Sequence, residues 1–270
     1  MMKSRSLSFY LLAAFFALFV LFLYGPMITI FILSLQGPDG TLTFPIRSFG
    51  FYWLGQVFQE QRVGNFVEPF KRSIVLGLIV TGLVASMSTL AAMAFRQRFR
   101  GSTVLFYLSI AALIVPSILI SLGLGVMFQL LGWSTSWLTS GLGAHLTWAL
   151  PIAFLIMLGI FNRFNPTYEE AAKDLGANDP KTFWEIVLPL ILPSLIGVSL
   201  LTFTLSYDEF TRTSLVSGQY NTLPLEIFGM TTNVTSPALY ALGTLTTLFS
   251  FTMIILAYIT VSQLSKRQRG

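Results

Sequence analysis

The sequence has no cysteine and a single histidine, and only 10% of its 270 residues are charged. The absence of cysteine excludes thiol catalysis, disulfide bonds and cysteine-built metal sites. None of the five lysines follows a glycine, so the phosphate-binding motif GxxxxGK[ST] is absent. We therefore expect no nucleotide or other cofactor on this chain and no ATP hydrolysis by it alone.

What the sequence has in abundance is apolar residues: 54% are hydrophobic, 25 are phenylalanine, and the mean hydropathy is +0.74. An apolar run of about twenty residues is long enough to cross the roughly 30 Å core of a bilayer. The pattern predicts an all-α membrane protein with one transmembrane domain over residues 1–270. Its six spans cover approximately residues 7–35, 73–95, 103–131, 142–162, 187–207 and 239–262.

The first span is uncharged from Arg5 to Asp39, which is too long for the apolar region of a signal peptide. We interpret it as an uncleaved anchor that is kinked or ended early at Gly25-Pro26. Prolines inside the later spans, such as Pro116 and Pro193, are also expected to break or kink them.

The basic residues predict the orientation of these spans. With the N-terminus inside, eleven basic residues fall on cytoplasmic segments and five outside, which follows the positive-inside rule. The cytoplasmic set is Lys3, Arg5, Arg96, Arg98, Arg100, Arg163, Lys173, Lys181, Lys266, Arg267 and Arg269, and the outer set is Arg47, Arg62, Lys71, Arg72 and Arg212. Both termini are therefore expected in the cytoplasm. The net charge of +5 is explained by this topology and not by nucleic acid.

The spans themselves contain almost no ionisable residue, which argues against an ion-gradient-driven secondary transporter. They also lack paired acids or a metal-ligand cluster, which argues against a membrane-embedded enzyme. His145 is interpreted as a buried or interfacial histidine whose ring is satisfied by a backbone carbonyl. A secondary transporter remains a distant alternative.

The predicted cytoplasmic loop 163–186 is unusual for its charge, since five of the eleven acidic residues fall within residues 169–189. Thr167 and Glu170 have capping-box spacing, which predicts a helix start. Gly176 fits the left-handed position that ends a helix. Asp179-Pro180 resembles an N-cap followed by a first-turn proline, so a second helix should follow a tight corner.

The first of these helices should carry one narrow apolar face, made of Tyr168, Ala171, Ala172 and Leu175. The helix could rest on lipid headgroups or enter a groove on another protein. The acidic residues beside that face would meet the anionic inner leaflet in the first case. The pattern therefore favours a groove on a partner protein.

The loop resembles the EAA loop of permease subunits in binding-protein-dependent ABC importers. That pattern is EAA, three residues, Gly, nine residues and I-x-L-P, and the chain matches it with Glu170-Ala171-Ala172, Gly176 and Ile186-Val187-Leu188-Pro189. The resemblance implies a type I importer permease fold and a coupling helix that docks on a separate ATPase subunit. The residues assigned to ATPase coupling are Tyr168, Glu169, Glu170, Ala171, Ala172, Leu175, Gly176 and Ala177.

The same resemblance implies the partners. We expect a second six-span permease subunit, most plausibly a different chain, together with two ATPase subunits that hold ATP and magnesium. A periplasmic or extracellular solute-binding protein should deliver the solute. The implied location is a bacterial cytoplasmic (inner) membrane.

Asp208 and Glu209 stand at the outer end of the fifth span. Ionisable residues there are either functional groups that face the bundle or an interfacial cap exposed to water. The region after the fifth span resembles the permease subunits of spermidine/putrescine ABC importers. The features that carry the resemblance are a serine followed by an aromatic residue and two acids, then a Leu-Pro segment, and a Ser-Pro before the last span. The resemblance implies a substrate pathway at Tyr207, Asp208 and Glu209, where acids and aromatics suit a polycationic amine.

Arg212 departs from a simple cation site. If the helix continued, Arg212 would lie alongside both Asp208 and Glu209 and neutralise part of their field. Such a pair would favour an amino-acid-like zwitterion, an opine or an aminobutyrate as the alternative solute. We therefore include Arg212 in the predicted substrate pathway.

Overall fold

The computed structural model describes residues 6–39, 44–59, 66–233 and 237–267. These residues form eleven α-helices and one π-helical turn, with no strand among them, which confirms the all-α prediction. The helices are α1 Leu7–Ser34, α2 Tyr52–Gln56, α3 Val67–Ala94, α4 Ser102–Ile114, α5 Ser117–Leu130, α6 Ser140–Asn162, α7 Thr167–Asp174, α8 Asp179–Thr182, α9 Leu188–Tyr207, α10 Leu223–Asn233 and α11 Pro237–Arg267. Of the basic residues counted for orientation, Lys3, Arg5, Arg62 and Arg269 lie outside the described residues.

Within the described residues, five helical stretches are long and apolar enough to cross a membrane as single spans. A sixth stretch is the predicted third span, which is not one continuous helix. It is divided into α4 and α5, which are bent by 105° at Val115-Pro116. The proline causes the break because it disfavours helical backbone in the residue before it, and Val115 is extended with ψ of 128°.

The fifth span also differs from its prediction, since the helical run begins at Asp179 and ends at Tyr207. The π-helical turn Phe183–Val187 connects α8 to α9. Pro189 follows two residues later and has no N–H to donate to the preceding turn, which explains why the regular hydrogen-bond pattern changes here.

The chain divides into two compact units, and the first comprises Met1–Asn65 and Gly229–Phe249. In it α1 runs through Pro26 to Ser34, so this helix does not end early at the proline. Gly243 packs against the Ile30 side chain so closely that a Cβ built on the glycine would be 3.2 Å from it. The glycine therefore permits close helix packing, as small residues do within membranes.

The second unit comprises Phe66–Phe228 and Ser250–Gly270. Its core is built by α3, α6 and α9, whose buried residues include Leu76, Val80, Phe154, Met157 and Ile191. These helices approach closely: a Cβ on Gly77 of α3 would lie 3.0 Å from the ring of Phe203 on α9. This core positions two features at its ends, the α7–α8 corner and the loop that follows α9.

Candidate functional site

The α7–α8 corner forms where the sequence predicted it, but with different capping residues. Helix α7 begins at Thr167, and the Thr167 N–H donates to Asn165 Oδ1 at 3.1 Å. The capping box with Thr167 as N-cap is therefore wrong. Pro166 stands at the N-cap, and Asn165 accepts the Thr167 N–H because its amide oxygen reaches the backbone two residues ahead.

Gly176 adopts the expected left-handed conformation, with φ of 87°. The Gly176 N–H donates to the Lys173 carbonyl at 2.8 Å, and the Ala177 N–H donates to the Ala172 carbonyl at 3.0 Å. These two bonds form a Schellman motif, which satisfies carbonyls at the end of α7. The predicted termination of the helix at Gly176 is confirmed.

The N-cap of α8 is Asn178 and not Asp179. The Lys181 N–H donates to Asn178 Oδ1 at 3.0 Å, so Asp179 becomes the first residue of the helix. The Asp179 carboxylate lies 2.7 Å from Lys173 Nζ, and this hydrogen bond raises the pKa of Lys173. The pair joins α7 to α8 across the corner, although both side chains are well exposed.

The predicted apolar face of α7 is largely open to solvent. Leu175 is 90% exposed and Tyr168 is 54% exposed, while Glu170 and Ala171 are exposed beside them. An apolar side chain at that exposure, on a short ordered helix, is typical of a surface that a partner covers. Ala172 and Ala177 are half-buried.

Glu169 is placed differently from the other residues assigned to ATPase coupling. Its side chain is only 20% exposed and forms a bidentate ion pair with Arg96, at the end of α3. From the sequence, Arg96 is one of the basic residues that predict the orientation and has no other expected role. Nothing local in the sequence could have found the pair, because the two residues are 73 positions apart.

At the other end of the core, α9 stops at Tyr207 and the chain turns. The helix therefore does not continue to Arg212, which does not lie alongside both acids, but the expected neutralising ion pair forms with Glu209. Arg212 pairs with Glu209 alone: the Arg212 N–H donates to Oε1 at 2.8 Å and Nη1 to Oε2 at 3.3 Å. Both side chains are buried, and the guanidinium lies 4.6 Å from the ring centroid of Trp148.

His145 fixes this loop to the core. Its Nδ1 lies 2.7 Å from Ser206 Oγ and its Nε2 lies 3.0 Å from Thr213 Oγ1. The histidine is buried as predicted, but its partners are two hydroxyls and not a backbone carbonyl. The Thr213 hydroxyl donates to the Glu209 carbonyl at 2.9 Å, so it accepts from the His145 Nε2–H, and Nδ1 accepts from the Ser206 hydroxyl.

Serine hydroxyls hold the loop further along. Ser121 Oγ of α5 donates to the Arg212 carbonyl at 2.5 Å, and Ser140 Oγ of α6 donates to the Val216 carbonyl at 2.8 Å. Gly218 has φ of 71°, and a Cβ there would lie 2.2 Å from the Thr135 carbonyl oxygen. Loop 208–219 is thus held in one conformation by α5, α6 and α9.

A recess of about 480 Å³ opens beside this loop. Its lining residues are Trp148, Thr204, Leu205, Asp208, Glu209, Phe210 and Thr211. Asp208 is exposed and has no ion-pair partner among the described residues. The recess therefore presents one uncompensated carboxylate beside two aromatic rings, which suits an organic cation.

The predicted substrate-pathway residues are thus divided. Asp208 and Glu209 line the recess, whereas Tyr207 packs among aromatic rings, stacked on Phe203 at 5.9 Å. Arg212 lies outside the lining and neutralises Glu209. No sequence pattern pointed to Trp148, since one tryptophan within an apolar span is ordinary.

Residues 74–270 match the family model described as the binding-protein-dependent transport system inner membrane component. The chain belongs to this family. It is a family of ABC importer permease subunits, which are transport components and not enzymes. The resemblance read from the EAA pattern is confirmed, and the protein is a multi-pass membrane protein.

Permeases of known transport systems are similar to this chain over most of its length. The spermidine/putrescine transport system permease protein PotC of Haemophilus influenzae is 30% identical over 251 residues, covering 92% of this chain and 95% of that protein. The putrescine transport system permease protein PotI of Escherichia coli K12 is 30% identical over 233 residues, covering 83% and 81%.

The fold is shared with a solved importer as well. A bacterial ABC transporter involved in the import of the acidic polysaccharide alginate has a chain that matches with a TM-score of 0.63 at 18% identity. The match covers 97% of this chain and 99% of that one. The predicted importer permease fold is confirmed.

Proposed function

We propose that this chain forms half of the translocation pathway of an ATP-driven importer for a polyamine such as spermidine or putrescine. The observation that carries the proposal is the likeness to the PotC permease over 92% of the chain. A permease of this family works with other subunits. We infer a second six-span permease, two ATPases that bind ATP and magnesium, and a solute-binding protein, while this chain itself binds no cofactor.

The recess supports a cationic solute over a zwitterion. A zwitterion would need a free guanidinium to bind its carboxylate by a bidentate pair. Arg212 is instead buried, paired with Glu209 and stacked on Trp148, and it does not line the recess. The accessible charge is the carboxylate of Asp208, which attracts an ammonium group.

The exposed face of α7 supports the orientation that we propose for the chain. For an ATPase in the cytoplasm to reach Tyr168 and Leu175, the α7–α8 corner must lie on the cytoplasmic side of an inner membrane. The basic residues Arg96, Lys173 and Lys181 belong to the same end of the second unit, which supports this orientation under the positive-inside rule. Both chain termini are then cytoplasmic.

Uptake by the reconstituted complex tests the solute class. Asp208→Asn should weaken uptake of labelled spermidine and putrescine at limiting concentration, because it removes the uncompensated carboxylate. Glu68→Gln is the matched control, since Glu68 is an exposed acid outside the recess that pairs with Lys71. Uptake of 4-aminobutyrate in preference to spermidine would contradict the proposal, as would normal spermidine uptake by Asp208→Asn.

A further inference from the structure

The ion pair between Arg96 and Glu169 joins the coupling region to the membrane core. Arg96 Nη1 donates to Glu169 Oε1 at 3.0 Å and Nη2 donates to Oε2 at 2.5 Å. Both side chains are only about one-fifth exposed. A bidentate pair of this kind fixes orientation as well as distance, which a pair of single charges does not.

Two aromatic rings hold the guanidinium in place. The Arg96 guanidinium carbon lies 5.6 Å from the ring centroid of Phe161, in the last turn of α6, and 5.4 Å from that of Phe164. Next to Arg96, the ring of Phe95 packs edge-on against Phe154 of α6 at 4.9 Å. Arg96 therefore contacts the ends of α3 and α6 and the side of α7 together.

Besides this ion pair, α7 contacts the π-helical turn that leads into α9, and Tyr168 packs against Phe164, but neither of these contacts involves α3. A cavity of about 760 Å³ lies between α7 and the helix ends, and its lining includes Met93, Gln97 and Thr182. The Lys173–Asp179 pair connects α7 to α8 but leaves α3 untouched. Because packing is interrupted by the cavity, the Arg96–Glu169 pair is the specific connection of α7 to α3.

We propose that Arg96 and Glu169 are positioning residues that transmit movement of α7 to α3 and α6. This inference rests on the proposed function, in which an ATPase displaces α7. Coupling between distant sites is commonly carried by packed side chains and ion pairs that connect rigid helices. Without the ion pair, α7 would shift over the cavity while the core helices stayed behind, so ATP would be hydrolysed with less solute moved.

The test is the number of solute molecules imported per ATP hydrolysed by the complete complex in liposomes. Glu169→Gln should lower this ratio about two- to thirtyfold, the range expected for residues along a coupling path. Arg96→Lys should do the same, because an ammonium cannot form the bidentate pair or replace the planar guanidinium. Asp174→Asn and Arg98→Gln are matched controls from the same helix and loop, both exposed, and should keep the wild-type ratio.

Charge exchange separates transmission from a purely structural role. Arg96→Glu and Glu169→Arg alone should each lower the ratio, and the double variant should recover most of it. Wild-type ratios in Glu169→Gln and Arg96→Lys would overturn the inference, as would loss of assembled complex with a normal ratio in what remains. A wild-type complex without ATP-dependent uptake would instead refute the proposed function.

Discussion

Substitutions at Gly176 should strain the backbone of the α7–α8 corner to different degrees, depending on the residue, without causing a steric clash. A Cβ built on Gly176 meets nothing within 4 Å beyond its chain neighbours, while φ is 87°. The cost therefore comes from the left-handed conformation, which disfavours ordinary L-residues by roughly 1–2 kcal/mol. Asparagine tolerates this region and should have the smallest effect, alanine an intermediate one, and the β-branched valine the largest.

The magnitude follows from that strain. About 1.4 kcal/mol lowers the population of a conformation tenfold, so Gly176→Val should reduce both ATPase association and uptake by about tenfold or more. Membrane insertion should be unchanged, because the corner lies outside the spans. Co-purification of the ATPase and uptake in liposomes measure the two effects.

The matched control is Gly159→Ala. Gly159 also has open space around it, but it sits in the regular helix α6, where alanine adopts the same backbone without strain. We expect nearly normal association and uptake for this variant. Normal ATPase recruitment and uptake by Gly176→Val would refute the assignment of the corner to coupling.

Three further substitutions test the loop beside the recess. Gly218→Ala should disrupt the loop, because its Cβ would lie 2.2 Å from the Thr135 carbonyl oxygen, and it should lower polyamine uptake more than it lowers ATPase association. His145→Phe leaves the buried Ser206 hydroxyl without its ring partner, which costs about 1–3 kcal/mol, and should lower the thermal midpoint of the purified complex, while Thr213 keeps its bond to the Glu209 carbonyl. Arg212→Gln leaves the Glu209 carboxylate buried alone, which costs about 3–5 kcal/mol, and adding Glu209→Gln should restore most of the stability in the same assay.

The parts of the structure that depend on residues adjacent in the sequence were predictable. The apolar spans follow from composition and length, and the end of α7 follows from Gly176, because a left-handed cap is a local requirement. The N-caps were harder since adjacent residues compete for one position. Asn178 took the place expected of Asp179, whereas α7 has Pro166 at its N-cap, and Asn165 accepts from the Thr167 N–H.

The parts that depend on tertiary contacts were not predictable from one sequence. A break at Pro116 was expected from the proline, but the 105° angle between α4 and α5 was not, because it depends on where α5 packs, and Ser121 of α5 bonds to loop 208–219. The pair of Arg96 with Glu169 arises only when α3 and α7 meet. Trp148 enters the recess because α6 and the loop are adjacent, a relation that no local pattern encodes.

The energy source of transport tests the central claim most directly. Uptake of labelled spermidine should be measured in liposomes that hold this chain with its second permease, the ATPase and the solute-binding protein. The account predicts that uptake requires ATP hydrolysis, persists with a protonophore and is absent when this chain is reconstituted alone. Spermidine uptake by the lone chain that is abolished by a protonophore would contradict it.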